Sequence, residues 1–141
     1  FLEAVVLACD QAERISTELA GVREEWNESL QGWIVREGGG RALRSDSAAL
    51  RILEGLPGTP VLTIATASRI HGVSRTAASR GLETLRAAGI LSTESIGAGR
   101  RAYTARAVLD TITWAERRLA STRFDTRVSA PVRAVPARPA Q

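Results

Sequence analysis

The chain has 141 residues, of which 44% are hydrophobic and 24% charged, and these values are typical of a single globular domain. All nineteen basic residues are arginine, fifteen residues are acidic, and the net charge is +4. The charge is uneven, because residues 1–39 carry eight acids and three arginines, whereas the rest of the chain has a net charge of +9. This asymmetry favours an anionic partner for the C-terminal two-thirds.

One cysteine, Cys9, and one histidine, His71, limit the chemistry available to the chain. They exclude an internal disulfide and a structural zinc site, and a nucleophilic catalytic set would have to use His71. No apolar run approaches the roughly 18 residues of a membrane span. We therefore predict a cytoplasmic protein that is not an enzyme, with no metal and no cofactor. Because the chain lacks methionine and begins at Phe1, we expect a piece of a longer protein or a processed chain.

The first segment is predicted to be a long acidic amphipathic helix over residues 1–37. Its apolar side chains recur every three or four residues, at Val5, Ala8, Ala12, Ile15, Leu19, Val22, Trp26, Leu30 and Trp33. One interpretation is a helix packed on its own domain or folded as a hairpin near Gly21. The other is a helix that docks on a partner or forms a homodimer through residues 1–36. Glycines 38–40 then predict a linker over residues 38–46.

Residues 47–121 are predicted to form a winged helix-turn-helix. A helix begins near Ser45–Ser47 and stops at Gly55, and a short strand covers Val61-Leu62. Thr63 is the expected N-cap of a helix that buries Ile64, Ala67 and Ile70, and Gly72 ends it. Ser74 caps the next helix after a very short turn, which is typical of a helix-turn-helix. Small side chains, among them Gly81, are expected to let these two helices approach closely.

A β-hairpin is predicted directly after the second helix, with strands over 90–96 and 101–105. A last helix over about 107–121 is expected to bury four side chains, with Trp114 well off that stripe. They are Val108, Ile112, Ala115 and Leu119. Residues 122–141 are read as a basic tail rich in Pro, Ala and Arg. The predicted fold is mainly α with a small β-hairpin, a winged helix-turn-helix preceded by a long N-terminal helix.

The outward face of the second helix and the hairpin tip supply the candidate DNA-binding residues. On the helix they are Arg75, Thr76, Ser79, Arg80, Glu83 and Arg86, and at the tip Arg100 and Arg101. Arg69 and Thr63 are candidate contacts to the DNA backbone. Arginine can grip guanine bidentately, and phosphate contacts make binding depend on salt. The leading interpretation is a domain that binds duplex DNA, and the alternative is a module that regulates or targets a protein partner.

Several short segments resemble the C-terminal winged helix of Fic-family proteins. They are Leu56–Thr63, Ala65–Ala67, Gly72–Ala78, Leu82-Glu83 and Ala88–Leu91. Residues 1–5, the acidic helix to Trp26 and the stretch from Arg41 to Ala49 are similar to the end of the Fic helical domain and the helix leading out of it. The resemblance extends over residues 1–121.

The resemblance implies an accessory C-terminal domain of an enzyme that transfers AMP from ATP to a hydroxyl side chain. The family's His-Pro-Phe loop and Gly-Asn-Gly-Arg segment are both missing, and His71 is followed by Gly72. The implied role is a non-catalytic regulatory module, with duplex DNA or the upstream Fic catalytic domain as partner.

A MarR- or GntR-like transcription regulator is the competing assignment for the same winged helix. MarR dimers bracket the motif with dimerising helices at both ends. The short last helix and the Pro-rich tail weaken that assignment.

Overall fold

The computed structural model describes residues 2–37 and 43–123, with side chains up to Arg118. Eight elements follow one another along the described chain: α1 (Leu2–Arg36), α2 (Ala48–Gly55), β1 (Val61–Leu62), α3 (Ile64–His71), α4 (Arg75–Ala87), β2 (Ser92–Ser95), β3 (Arg101–Thr104) and α5 (Arg106–Arg123). The predicted fold class is confirmed, because this is a mainly helical winged helix-turn-helix preceded by a long helix. Most of the predicted linker and the tail from residue 124 lie outside the described residues.

Hydroxyl side chains start each of the three short helices. Ser47 accepts a hydrogen bond from the backbone N–H of Leu50 at 3.4 Å, and Ser74 accepts one from Ala77 at 3.1 Å. Thr63 and Thr66 form a reciprocal capping box at the start of α3. These contacts satisfy backbone donors that the first turn of a helix leaves free, so the predicted helix starts are confirmed.

The sheet places the wing beside the helix-turn-helix. Its order is β1-β3-β2 and both pairs are antiparallel, with Tyr103 opposite Leu62 on one side and Thr93 on the other. The turn between β2 and β3 has positive φ at three successive residues, 97 to 99, where glycines flank Ala98. The tight tip follows from these glycines, which adopt that conformation without steric cost. β2 and β3 are shorter than predicted, but both strands and the β1 strand are confirmed.

One buried cluster joins the last third of α1 to the winged helix. It contains Trp26, Leu30 and Ile34 of α1 together with residues from α2 to α5 and the sheet, among them Ile52 and Leu82. Gly81 was expected to let α3 and α4 approach closely, and the structure shows a different contact. A Cβ at this position would lie 2.9 Å from the backbone nitrogen of Ala49, so Gly81 permits close approach of α4 to α2 and not to α3.

Three expected burials are wrong in detail. Ile34 takes the last buried position of α1, whereas Trp33 is half-buried, because four-residue steps from Trp26 through Leu30 reach Ile34. Ile70 is 48% exposed because the two-turn helix α3 buries only Ala67 fully. Ile112 is 41% exposed because the seam of α5 is narrow and passes through Val108 and Ala115. The side chain of Leu119 lies outside the described part.

The first part of α1 has a different environment from the rest of the chain. The helix runs without a break past Gly21, so the hairpin interpretation is wrong. Residues 2–10 are all exposed, and among them are the large apolar side chains Leu2, Val5, Val6 and Leu7. An ion pair of 2.8 Å between Glu18 and Arg118 marks where α1 lies against α5.

Candidate nucleic-acid interface

Helix α4 divides cleanly into a buried and an outward face. Its buried residues are Ala78, Gly81, Leu82 and Leu85. The six candidate residues on the other face are Arg75, Thr76, Arg80 and Arg86, which are exposed, and Ser79 and Glu83, which are half-buried. The 3.6-residue period of the helix causes this division, and it leaves three arginines directed outward.

An open groove of about 670 Å³ lies between α4, the start of α3 and the wing. Six of the ten candidate residues line it: Thr63, Arg75, Ser79, Glu83, Arg100 and Arg101. The three arginines come from two separate elements, the first turn of α4 and the tip of the hairpin. Glu83 is the one acidic residue in the lining.

The remaining candidate residues lie around this groove. Arg69 and Arg75 line a second, shallower groove between α3 and α4. Thr76 and Arg80 are exposed on α4 and line neither groove. Arg86 is turned towards Glu83, with its Nε donating to Glu83 Oε2 at 2.6 Å. The structure therefore brings most candidates to one side of the winged helix, and their roles in DNA binding stay predictions.

Glu83 has a second partner that sequence reasoning missed. The hydroxyl of Tyr103, on β3, donates to Glu83 Oε1 at 2.6 Å. The hydrogen bonds from Tyr103 and from Arg86 lower the pKa of Glu83, so its carboxylate is ionised at neutral pH. Burial of the ring, followed by the bond to Glu83, raises the pKa of Tyr103, so the phenol keeps the proton that it donates.

Arg106 holds the base of the wing and was also absent from the candidate set. Its Nη2 donates to Glu94 Oε1 at 2.9 Å and its Nε to Ser92 Oγ at 3.0 Å. Both partners lie on β2, so the first residue of α5 is tied to the wing strand. No local pattern reveals this contact or that of Tyr103, because each joins residues more than ten positions apart.

His71 lies at the end of α3 and packs against α2. A Cβ at Gly55 would lie 2.5 Å from His71 Cε1, so the ring occupies the space that this glycine leaves. Burial lowers the pKa of His71, and its buried Nε2 has no hydrogen-bond partner among the described residues. In the same part of the chain, no three His, Cys, Asp or Glu side chains come together as metal ligands. None of the described helices is long and apolar enough to cross a membrane.

Comparison with known proteins gave no match to any protein-family model and none to a curated protein. Two similar solved structures are MarR-family proteins. A MarR family transcription regulator is 19% identical over 90% of this chain and 83% of its own, with a TM-score of 0.37. A MarR family protein from Bacillus stearothermophilus is 13% identical over 86% of this chain and 81% of its own, with a TM-score of 0.35.

The resemblance to Fic-family proteins is wrong, because the similar solved structures are MarR-family proteins and no family model matches the chain. The segments on which the resemblance was based contain residue types that any winged helix needs at its helix caps and turns. Thr63 and Ser74 are helix caps, and Gly72 and Gly89 have positive φ at turns. Such residues serve any winged helix-turn-helix. None of these findings supports the Fic catalytic domain as a partner.

Proposed function

We propose that the chain is a non-catalytic transcription regulator that binds duplex DNA through α4 and the wing. The proposal rests mainly on the groove that is lined by Arg75 of α4 together with Arg100 and Arg101 of the wing. Three cations from two elements form a surface that a polyanion can span. A DNA backbone supplies charges at regular intervals along such a surface.

The geometry of a helix-turn-helix assigns a role to each group of candidates. The N-terminal part of the second helix enters the major groove, which gives base contacts to Arg75, Thr76, Ser79 and Arg80. The arginines of the wing reach phosphates or the adjacent minor groove. Thr63 and Arg69, at the two ends of α3, contact the backbone. In this arrangement residues 47–121 form the DNA-binding unit and residues 1–37 form an arm.

We expect the whole 141-residue chain to bind a mixed-sequence duplex, measured by fluorescence anisotropy over a series of salt concentrations. Binding should weaken steeply as salt rises, because each phosphate contact releases a counterion. The Arg75→Ala/Arg80→Ala variant should bind at least about tenfold more weakly, since a good base contact contributes roughly 1–3 kcal/mol.

Arg14→Ala/Arg36→Ala is the matched control, because it removes the same charge from exposed positions of α1. If both double variants lost the same affinity for DNA, net charge alone would explain the binding. No binding of the natural chain to any duplex at low salt would refute DNA binding, and a protein-interaction role would then replace it.

The first part of α1 supports a homodimer as the second part of the proposal. Residues 2–10 expose large apolar side chains on a helix that is about 52 Å long at 1.5 Å per residue. Such a helix is marginal in water unless its apolar stripe is covered. A second copy offers the same stripe, and a two-fold axis pairs it with itself. Exposed Ile112 and Trp114 on α5 extend the apolar surface available to that copy.

A further inference from the structure

The carboxylate of Glu83 is an unusual group to find in a groove proposed to bind DNA. It lies among Arg75, Arg100 and Arg101, and phosphates repel a negative charge. Both of its oxygens are occupied, one by Tyr103 and the other by Arg86, each at 2.6 Å. A side chain whose acceptors are already used has little left to offer a base edge, so its role in the groove needs another account.

The bond to Tyr103 joins the two elements that carry the arginines. Tyr103 is 2% exposed and lies on β3, whereas Glu83 lies in the third turn of α4. Arg101 is two residues before Tyr103 on the same strand, and both line the groove. Because side chains two apart on a strand point to the same face, the position of Tyr103 determines where Arg101 emerges.

The wing has few other ties to α4. Arg106 holds its base through Glu94 and Ser92, but these bonds run to α5. Beyond Ser95 the tip is exposed at every residue from 96 to 101. Among the hydrogen bonds of the described residues, the one between Tyr103 and Glu83 connects β3 directly to the outward face of α4.

We propose that Glu83 is a positioning residue that acts through Tyr103, holding Arg100 and Arg101 of the wing at a set distance from Arg75 of α4. Glu83 is then not a DNA contact, although the sequence pattern predicts it as one. Arg86 neutralises its charge and keeps its second oxygen occupied. The inference rests on the proposed DNA-binding function. It adds that the hydrogen bond between Glu83 and Tyr103 sets the distance between the wing and α4 at the DNA-binding groove.

The Tyr103→Phe variant tests this role with the least disturbance, because it removes one hydroxyl and keeps the ring and the net charge. We expect it to bind a mixed-sequence duplex about tenfold more weakly than the natural chain. In a background that already carries Arg100→Ala/Arg101→Ala, the same substitution should cost nothing further. An equal loss in both backgrounds would mean a general structural effect and would overturn the proposal.

A second variant gives a test by the sign of the effect. Glu83→Ala raises the positive charge of the groove, so electrostatics alone predicts tighter DNA binding. The positioning role predicts weaker binding in spite of the added charge. The control is Glu116→Ala, which makes the same change at an exposed position of α5. Tighter binding by Glu83→Ala than by the control would contradict the proposal.

Hydrogen exchange on the free protein separates this inference from DNA binding itself. In Tyr103→Phe, two amides of the hairpin tip should exchange faster, while those of α2 keep their rates. They are Ile96 N–H, which donates to Arg100 O at 3.0 Å, and Arg100 N–H, which donates to Gly97 O at 2.9 Å. This result is expected whether or not the natural chain binds DNA. Unchanged exchange in the wing would overturn the positioning role, whereas absence of DNA binding alone would overturn only the proposed function.

Discussion

The winged helix and the first half of α1 have similar shares of apolar residues but opposite surroundings. From Ser47 to Ala105, three helices begin at hydroxyl caps, and every helix and the strands β1 and β3 place a side chain in the common cluster. From Leu2 to Asp10, every residue of a continuous helix is exposed. The contrast shows that the winged helix and the last third of α1 share one buried core, whereas the apolar side chains at the start of α1 stay uncovered within the described residues.

The largest expected effect concerns the exposed stripe of α1. We predict that Val5→Asp/Ala12→Asp converts a dimer into a monomer, observed by light scattering coupled to size exclusion over a range of concentrations. Both copies lose the contact, and burial of one valine contributes about 1.5–3 kcal/mol, so the dissociation constant should rise roughly 100-fold or more.

The control for this experiment adds the same charge on another face of α1. Thr17→Asp/Gln31→Asp is suitable, because both are exposed polar positions on the side of α1 opposite the stripe. If the natural chain were monomeric at every concentration, or if both variants dissociated equally, the comparison between a self-contained and a partner-dependent region would fail.

A single type of substitution, glycine to alanine, should have opposite effects in the winged helix and in the middle of α1. In Gly81→Ala the new Cβ would lie 2.9 Å from Ala49 N and 3.0 Å from Ala48 C. Backbone atoms cannot move aside cheaply, so we expect a loss of about 1–3 kcal/mol in the free energy of unfolding. Gly21 has no atom within 4 Å of such a Cβ. Gly21→Ala should therefore stabilise the protein by up to about 1 kcal/mol, through helix propensity.

Thermal or urea unfolding of Gly81→Ala and Gly21→Ala measures these changes in the free energy of unfolding. If Gly81→Ala proved as stable as the natural chain, the close approach of α2 and α4 would be incorrect.

The smallest expected effect is a pH dependence inside the winged helix. Burial lowers the pKa of His71 below its ordinary value of 6.5, so the unfolded chain takes up a proton more readily than the folded one. The stability from a neutral His71 is therefore fully present above pH 6.5 and is lost as the pH falls through that value. The melting temperature should be lower at about pH 5.5 than at about pH 7.5, and His71→Gln should reduce that difference. An identical pH dependence in His71→Gln would contradict this.

Local chemistry explains how much of the fold was predictable. Ser47, Thr63 and Ser74 mark helix starts because their hydroxyls bond to backbone N–H groups three residues ahead. Such contacts are complete within one turn, so they are visible in the order of residues. The outward face of α4 was predictable for a similar reason, since helical periodicity separates Arg75 and Arg80 from the buried Leu82.

Contacts between distant segments explain what was missed. Tyr103 and Glu83 are 20 residues apart, and no period joins a strand to a helix. Trp33 and Ile34 are both suitable for the last buried position of α1. Ile34 is the buried one because of how α1 packs on the cluster, which the sequence pattern does not show. The resemblance to Fic-family proteins is wrong for a related reason. Capping residues and turn glycines indicate a winged helix, but they are common to winged helices of different families and do not identify one.

The most direct test of the central claim is the salt dependence of DNA binding by the wing variant. The claim is that α4 and the wing bind one duplex together. The slope of log affinity against log salt changes by about 0.9 for each phosphate contact. Arg100→Ala/Arg101→Ala should therefore give a slope shallower by about 1.8 than the natural chain, while Arg14→Ala/Arg36→Ala leaves it unchanged. An unchanged slope in the wing variant would show that the wing does not touch the DNA and would contradict the account.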